Sequence, residues 1–146
     1  MTYIGGLNTN KNKFLYFRTE ATDANDDATG DSALFPVSSL MGMQPTGDNS
    51  LTLYFKSMLR GSGNEGAADA LANLDNNDSV VLTLYAANTH LEAMTSIVEA
   101  INDDNSPSII VVTNDDSDTG GSLHYDLFGS GISACGTISV AAAYTN

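Results

Sequence analysis

Two acidic segments carry the residue types and spacing closest to those of a calcium site. TEATDANDDATGDS (residues 19–32) and TNDDSDTGGS (residues 113–122) both place oxygen-bearing side chains at alternate positions. The candidate metal ligands are Asp23, Asn25 and Asp27 in the first segment and Asn114, Asp116 and Asp118 in the second. An EF-hand loop uses such ligands, but it also needs glycine at its sixth position and a bidentate Glu at its twelfth.

Both segments depart from the EF-hand pattern at these two diagnostic positions. In the first segment they hold Ala28 and Leu34. In the second they hold Thr119 and Tyr125. We therefore expect solvated acidic loops that keep sheet edges apart by charge, with a looser cation site as the alternative.

The side chains suited to acid–base chemistry do not form a recognisable catalytic pattern. His90 begins a predicted helix, and His124 lies in the segment LHYD beside Tyr125. Adjacent residues on a strand point to opposite faces, so His124 and Tyr125 diverge. The sequence contains no nucleophile elbow, phosphate-binding loop or metal-binding histidine spacing. We expect a protein that is not an enzyme and uses no cofactor.

Charge and cysteine content narrow the classes of partner. The 146 residues hold 18 Asp and Glu against five Lys and Arg, a net charge of −13. Such a chain repels phosphate backbones and anionic lipids, so we expect neither nucleic acid nor membrane as a partner. A basic partner suits it better.

The single cysteine, Cys135, lies in an apolar run and is predicted to be a small buried hydrophobe.

Hydrophobic periodicity predicts mostly strands. Residues 13–19 and 49–58 alternate as half-buried strands do, with Leu51, Leu53 and Phe55 on the buried side of the second. Further strands are predicted at 79–85 and 108–113, and in SLHYDLF and GISACGTISVAAAY near the end. Between them, SALFPVSSLMGMQPT is predicted to form a short strand and irregular turns, because proline and glycine interrupt it.

One helix is predicted, at about residues 89–102. Thr89 and Glu92 have the spacing of a capping box. The predicted buried stripe is Leu91, Met94, Val98 and Ile101, with Ile97 at its edge. The flanking strands 79–85 and 108–113 would make this helix a right-handed crossover, with the second strand buried on both faces.

These elements predict an α+β fold: a mainly β domain of about six to eight strands with one main helix packed on the sheet. We expect residues 1–146 to form a single domain, because the chain has ordinary domain length. Residues 60–78, rich in glycine, alanine and asparagine, are predicted to be a flexible loop or insertion.

Four stretches of the chain carry a family resemblance: FLYFRT, DDATGDS, FPVSSLMGMQPTGDNSLTLYF and SVVLTLYAANTHLEAMTSIVEAIN. They resemble a family of small virion structural proteins of marine tailed phages, especially cyanophages. The resemblance implies a capsid-associated protein present in many copies in the virion, made in the host cytoplasm and lacking catalytic residues. A decoration or cement protein of this kind would form a homo-oligomer, with a trimer favoured, and would bind the major capsid protein.

Two alternatives stay open. A tail, tube or filament subunit would assemble through exposed strand edges. A cation- or sugar-binding module would use an acidic loop, although the absence of tryptophan lowers the expectation of a sugar platform.

Overall fold

The computed structural model describes residues 12–58, 77–115 and 131–140. Within these ranges the chain forms seven strands in two sheets and one main α-helix. The predicted α+β, mainly β fold is thereby confirmed. In the same ranges, no helix is long and apolar enough to cross a membrane.

The strands are β1 (Phe14–Arg18), β2 (Ser32–Pro36), β3 (Leu40–Gly47), β4 (Ser50–Phe55), β5 (Asp78–Leu84), β6 (Ile109–Val111) and β7 (Ile132–Ser139). The helix α1 spans His90–Asn102, and short 3₁₀ turns occupy Asp23–Asn25 and Val37–Ser39. One sheet has the order β2-β1-β6, in which β1 is antiparallel to β2 and parallel to β6. The other has the order β3-β4-β5-β7 and is antiparallel throughout.

Three phenylalanines join the two sheets. Phe17 of β1 and Phe35 of β2 come from the three-stranded sheet, and Phe55 of β4 comes from the four-stranded sheet. The rings of Phe35 and Phe55 stack with centroids 4.1 Å apart, and Phe17 meets Phe55 edge-on at 5.9 Å. Aromatic pairs in these geometries contribute beyond their buried area. All three lie in one buried cluster with residues of α1, so the core lies between the sheets and the helix.

The buried side predicted for residues 49–58 is confirmed in β4, because Leu51, Leu53 and Phe55 are fully buried. The alternation itself is incomplete, because Thr52 on the other side is only 4% exposed and bonds to the Thr46 hydroxyl, whereas Lys56, just beyond the strand, is exposed.

The short strand predicted in SALFPVSSLMGMQPT is confirmed as β2, and a turn follows it at Val37–Ser39. The turns predicted beyond that point were wrong, because β3 runs as a strand through Gly42 and Pro45. A proline lacks the amide that a central strand must donate, but β3 is an edge strand, where this amide is not needed.

The predicted crossover was wrong in its topology. β5 and β6 flank α1 in sequence, yet they belong to different sheets, and the parallel partner of β6 is β1. The helix therefore leads the chain from one sheet to the other. The expectation that this strand is buried on both faces was also wrong, because β6 is an edge strand and Ile109 is 48% exposed.

The buried face of α1 differs from the predicted stripe. Ala93 and Ile97 are the buried residues of the helix, whereas Leu91 is 73% exposed and Val98 is 44% exposed. The position of the N-cap was predicted correctly, since it is Thr89, but the capping-box hydrogen bond was wrong. The Thr89 hydroxyl donates to the carbonyl of Ala86, which precedes the helix, at 2.8 Å. The helix is thus rotated so that part of its apolar stripe faces outward.

Several expectations fall on residues outside these ranges. They concern the strand in SLHYDLF, which includes His124 and Tyr125, the end of the strand predicted in GISACGTISVAAAY (141–144), and all but the last two residues of the loop at 60–78. Asp78, the last residue of that loop, is the first residue of β5, so the strand begins one residue earlier than predicted.

The rotation of α1 predicts unequal effects of two alanine substitutions. Ile97→Ala empties a fully buried site and should lower the free energy of unfolding by about 2–5 kcal/mol. Leu91→Ala removes an exposed side chain and should change it by less than about 0.5 kcal/mol. Urea denaturation of the two variants measures both values. A larger loss for Leu91→Ala would instead place the predicted stripe against the core.

Candidate functional site

The first acidic segment folds around a cation of the protein itself. Arg18 ends β1, and its side chain is only 8% exposed. Its Nη2 donates to Asp23 Oδ1 at 2.8 Å, and its Nε donates to the carbonyl of Glu20 at 2.7 Å. The Nε also lies 3.8 Å from Asp26 Oδ2. A guanidinium offers several donors in a rigid fork, which allows it to hold backbone and carboxylate together.

The remaining acidic side chains of this segment form its own turns. Asp31 Oδ2 accepts hydrogen bonds from the amides of Asp27 and Ala28, at 3.2 and 2.7 Å. Asp26 Oδ1 accepts from the Ser32 hydroxyl at 2.8 Å. Gly30 closes the turn with a φ of 101°, and a Cβ there would lie 3.2 Å from the carbonyl oxygen of Ile138. The segment therefore packs closely against β7.

The three ligand candidates of the first segment do not share one binding site. Asp23 pairs with Arg18, whereas Asn25 and Asp27 are exposed. Across residues 12–58, 77–115 and 131–140, no three His, Cys, Asp or Glu side chains gather closely enough to hold a metal ion. In this loop the carboxylates of Asp23 and Asp26 contact Arg18, and that of Asp31 is bonded to the turn itself.

The second acidic segment is described only up to Asp115, so Asp116 and Asp118 lie outside the described ranges. Asn114 is partly buried, and its Oδ1 has no hydrogen-bond partner. Asp115 is buried beyond the end of β6, where its Oδ2 accepts from the Cys135 amide of β7 at 2.9 Å. Its Oδ1 is buried without a hydrogen-bond partner. Burial raises the pKa of Asp115, and the bond from the Cys135 amide opposes that shift only in part.

Cys135 is the junction of the two sheets. Its amide donates to Asp115, and its carbonyl accepts from the Thr19 hydroxyl at 3.2 Å. The predicted burial of this cysteine is confirmed. Burial raises the pKa of its thiol to about 12, helped by the nearby Asp115 charge and opposed by a hydrogen bond with Thr113. Such a thiol stays protonated at neutral pH, which makes it a poor nucleophile.

His90 fastens the start of α1 to the neighbouring strands. Its Nε2 lies 2.9 Å from the carbonyl of Gly47 and 3.1 Å from that of Ser50. Both partners only accept hydrogen bonds, so this nitrogen carries the proton. The first residue of the helix is thereby fastened to the turn between β3 and β4.

Lys13 fastens the other end of α1. It is buried, and its Nζ donates to the carbonyl of Asp103, the C-cap residue, and to the Ser106 hydroxyl. This carbonyl also accepts from the Ser106 amide at 3.0 Å, and the ammonium group beside it opposes the negative end of the helix dipole. Sequence reasoning missed both Lys13 and Arg18. The sequence did contain a signal that could have found them. In a chain with few positive charges, these two lie near the two ends of the strand predicted at residues 13–19.

An open groove of about 310 Å³ lies beside β3. Its lining residues are Met41, Gly42, Met43, Gln44, Tyr54 and Asn77. The Tyr54 hydroxyl already accepts a hydrogen bond from Gln44 Nε2 at 3.2 Å. The groove is therefore an apolar surface feature with few polar groups left to orient a small ligand.

The Arg18 contacts predict a specific stability loss. Arg18→Met removes the hydrogen bonds to Glu20 and Asp23, and we expect it to lower the free energy of unfolding by about 1–3 kcal/mol. Lys56→Met is the matched control, because it removes the same charge from an exposed side chain and should change stability by less than about 0.5 kcal/mol. Chemical denaturation compares them. Equal losses would show that net charge, not the Arg18 contacts, decides stability.

The raised pKa of Asp115 predicts a pH-dependent effect of Asp115→Asn. The folded protein holds this proton more tightly than the unfolded chain does, because the pKa rises above its ordinary value of 3.8 on folding. The stabilisation is full below pH 3.8 and is lost as the pH rises through the folded pKa. Asn keeps an acceptor for the Cys135 amide but cannot ionise. We therefore expect the stability of the variant, relative to wild type, to increase from pH 3.8 towards neutrality.

Denaturant titrations at several pH values measure this difference. Asp27→Asn is the control, because Asp27 is exposed and its side chain is not part of the sheet junction. A relative stability of Asp115→Asn that falls over the same interval would contradict the assignment.

No protein-family model, curated protein or solved structure matches this chain. Its function is therefore inferred from its own charges, contacts and surfaces.

Proposed function

We propose that this chain is a virion structural protein that decorates a capsid, binding the lattice in many copies and bridging its subunits. The partners are further copies of itself, with a trimer favoured, and the major capsid protein. The observation that carries the proposal is the composition of the described surface, which combines an excess of carboxylates with separate exposed apolar side chains. Two of the three described basic residues, Lys13 and Arg18, are buried, which leaves Lys56 as the exposed one.

A surface of this kind supports assembly onto a lattice. The exposed apolar side chains include Met41 on β3 and Leu91 and Val98 on α1. Each can contribute only a small contact, but many weak contacts on a fixed lattice add to a large overall affinity. The carboxylates that remain towards solvent keep decorated particles from adhering to one another.

Three of the four edge strands, namely β3, β6 and β7, favour decoration over the alternative of a tube or filament that grows by strand addition. β3 contains Pro45, and its register against β4 shifts near each end. β6 is only three residues long. On β7, the amide and carbonyl of Cys135 are already bonded to Asp115 and Thr19. Short, irregular or side-chain-capped edges oppose pairing with the strands of other molecules.

The cation-binding alternative is supported less well by the first acidic segment, because Arg18 already pairs with two of its carboxylates, those of Asp23 and Asp26. A sugar-binding alternative would have to use the groove beside β3. There the aromatic ring is Tyr54, which is half-buried and hydrogen-bonded to Gln44.

The proposal predicts that the chain is a stoichiometric component of purified virions. We expect quantitative mass spectrometry of virions encoded by the same genome to find it in a fixed ratio to the major capsid protein. Light scattering of the purified chain at low and high salt, with calcium and with a chelator, should give a trimer that does not respond to calcium. Absence from the virions would overturn the proposal. Long polymers would favour the tube or filament, and a monomer stabilised by calcium would favour the binding module.

A further inference from the structure

The three-stranded sheet is apolar on the side that faces away from the core. Strand β1 places Phe14 and Tyr16 on this side, and their partners in register on β2 and β6 lie on the same side. None of these residues belongs to the buried core or packs against it, and Leu34 and Ile109 are 42% and 48% exposed. We call this surface the outer face; its six residues are Phe14, Tyr16, Leu34, Pro36, Ile109 and Val111.

The outer face is contiguous. Phe14 lies between Pro36 of β2 and Ile109 of β6, and the Tyr16 row beside it is built in the same way. A sheet that packs one side on a core normally presents polar residues to water on the other side. Contiguous exposed apolar surface is instead typical of a contact site. The outer face therefore fits a contact surface better than a set of scattered exposed side chains.

The two ends of the outer face differ in charge. Arg18 follows Tyr16 on the same side of β1 and pairs with Asp23 and Asp26, so carboxylates border the face at this end. The opposite end lies where β1 and β6 begin and β2 ends. It is formed by exposed, uncharged residues, namely Asn12, Ser38 and Ser108. The outer face is thus uncharged, with one acidic and one neutral end.

This charge pattern fits a second copy of the same face, turned end for end. A two-fold contact that reverses the strands places the carboxylates of each copy over the neutral end of the other. The two acidic ends are then roughly 16 Å apart along the strands, beyond the Debye length of about 8–10 Å. Strands packed in the same direction would bring the acidic ends to about 10 Å from each other. A basic partner would be attracted to the carboxylates rather than to the uncharged face.

We propose that the outer face of the three-stranded sheet is a two-fold contact between copies of this chain. Three strands about 4.8 Å apart and three residues of about 3.3 Å each give a face of roughly 150 Å² per copy. A stable interface buries about 800 Å² per partner, so this contact is weak and forms only between concentrated copies. It rests on the proposed function in one respect: a capsid lattice holds copies close enough for a weak contact to form. Trimers formed through other surfaces stay unpaired when dilute.

The mass of the full-length chain as a function of concentration tests the contact. Light scattering from micromolar to millimolar protein should show the mass double, whatever the oligomer is when dilute. Raising the salt concentration should shift the doubling to lower protein concentration, because screening reduces the repulsion between copies that each carry a net charge of −13. A mass that stays constant over this range at high salt would overturn the inference.

Two sets of variants locate the contact and its direction. Leu34→Gln with Ile109→Gln should raise the concentration needed for doubling by about tenfold or more. Met41→Gln is the matched control and should leave it unchanged, because Met41 is 54% exposed on β3, in the other sheet. Equal pairing by wild type and the Leu34/Ile109 variant would contradict the proposal.

The direction of the strands is tested by a charge added at the neutral end. Ser38→Lys should lower the doubling concentration, because the new ammonium group approaches the carboxylates of the other copy. Gln44→Lys changes the net charge equally on an exposed position of β3 and should have a smaller effect. Equal effects of the two lysines would overturn the inference, because net charge alone would then explain them.

Further readouts separate the other occupants of the outer face and the proposed function itself. If the Leu34/Ile109 variant has a lower urea midpoint than wild type when dilute, a segment of the same chain covers the face and the inference fails. If the variant pairs as wild type does but is lost from virions, the capsid lattice protein covers the face and the inference also fails. A chain found in virions that never pairs overturns the inference and leaves the proposed function intact. A chain absent from virions whose pairing is lost in the variant has the reverse meaning.

Discussion

Strand β1 carries the two buried cations on which the arrangement of the other described elements depends. Lys13, just before the strand, bonds to the carbonyl that ends α1, and Arg18, its last residue, organises the acidic segment that leads to β2. In a chain with a net charge of −13, carboxylates repel one another wherever they gather. Placing the few positive charges inside the fold relieves this repulsion at two points where backbone groups also need partners. The consequence is a surface left strongly acidic.

The two sheets are held together by apolar packing on one side and by polar contacts on the other. Phe17, Phe35 and Phe55 form the apolar contact, and Thr19 and Asp115 reach the backbone of Cys135 on β7. These two side chains use the amide and carbonyl that an edge strand would otherwise offer to another molecule. One set of contacts therefore both joins the sheets and closes a sheet edge. These contacts also explain why the carboxyl group of Asp115 is buried. It accepts a hydrogen bond from the Cys135 amide, which no backbone group of β1 or β6 pairs with.

The sequence predicted the elements that depend on local periodicity. The buried side of β4, the helix that ends at Asn102 and the burial of Cys135 are all local consequences of residue order. It failed where the outcome depends on distant partners: the pairing of β6 with β1 and the rotation of α1. Spacing shows that a helix has an apolar stripe, but a helix with two such rows leaves open which one is buried. Likewise, the acidic spacing at Asp23 to Asp27 led to the expectation of a solvated loop, with a looser cation site as the alternative, and only the fold shows that Arg18 pairs with this segment.

The departures from local rules on α1 are concentrated on its outward side. A surface helix gains stability from a single apolar face and from basic residues near its C-terminus, yet α1 exposes Leu91 and Val98 and has Glu99 in place of a cation. Its inward side obeys the rules, with Ile97 in the core and Lys13 at the C-terminal carbonyls. Natural sequences agree with their fold at most positions and depart from it where function requires it. Because Lys13 already supplies a positive charge at the C-terminus, the departures that remain on α1 are the exposed side chains of Leu91 and Val98.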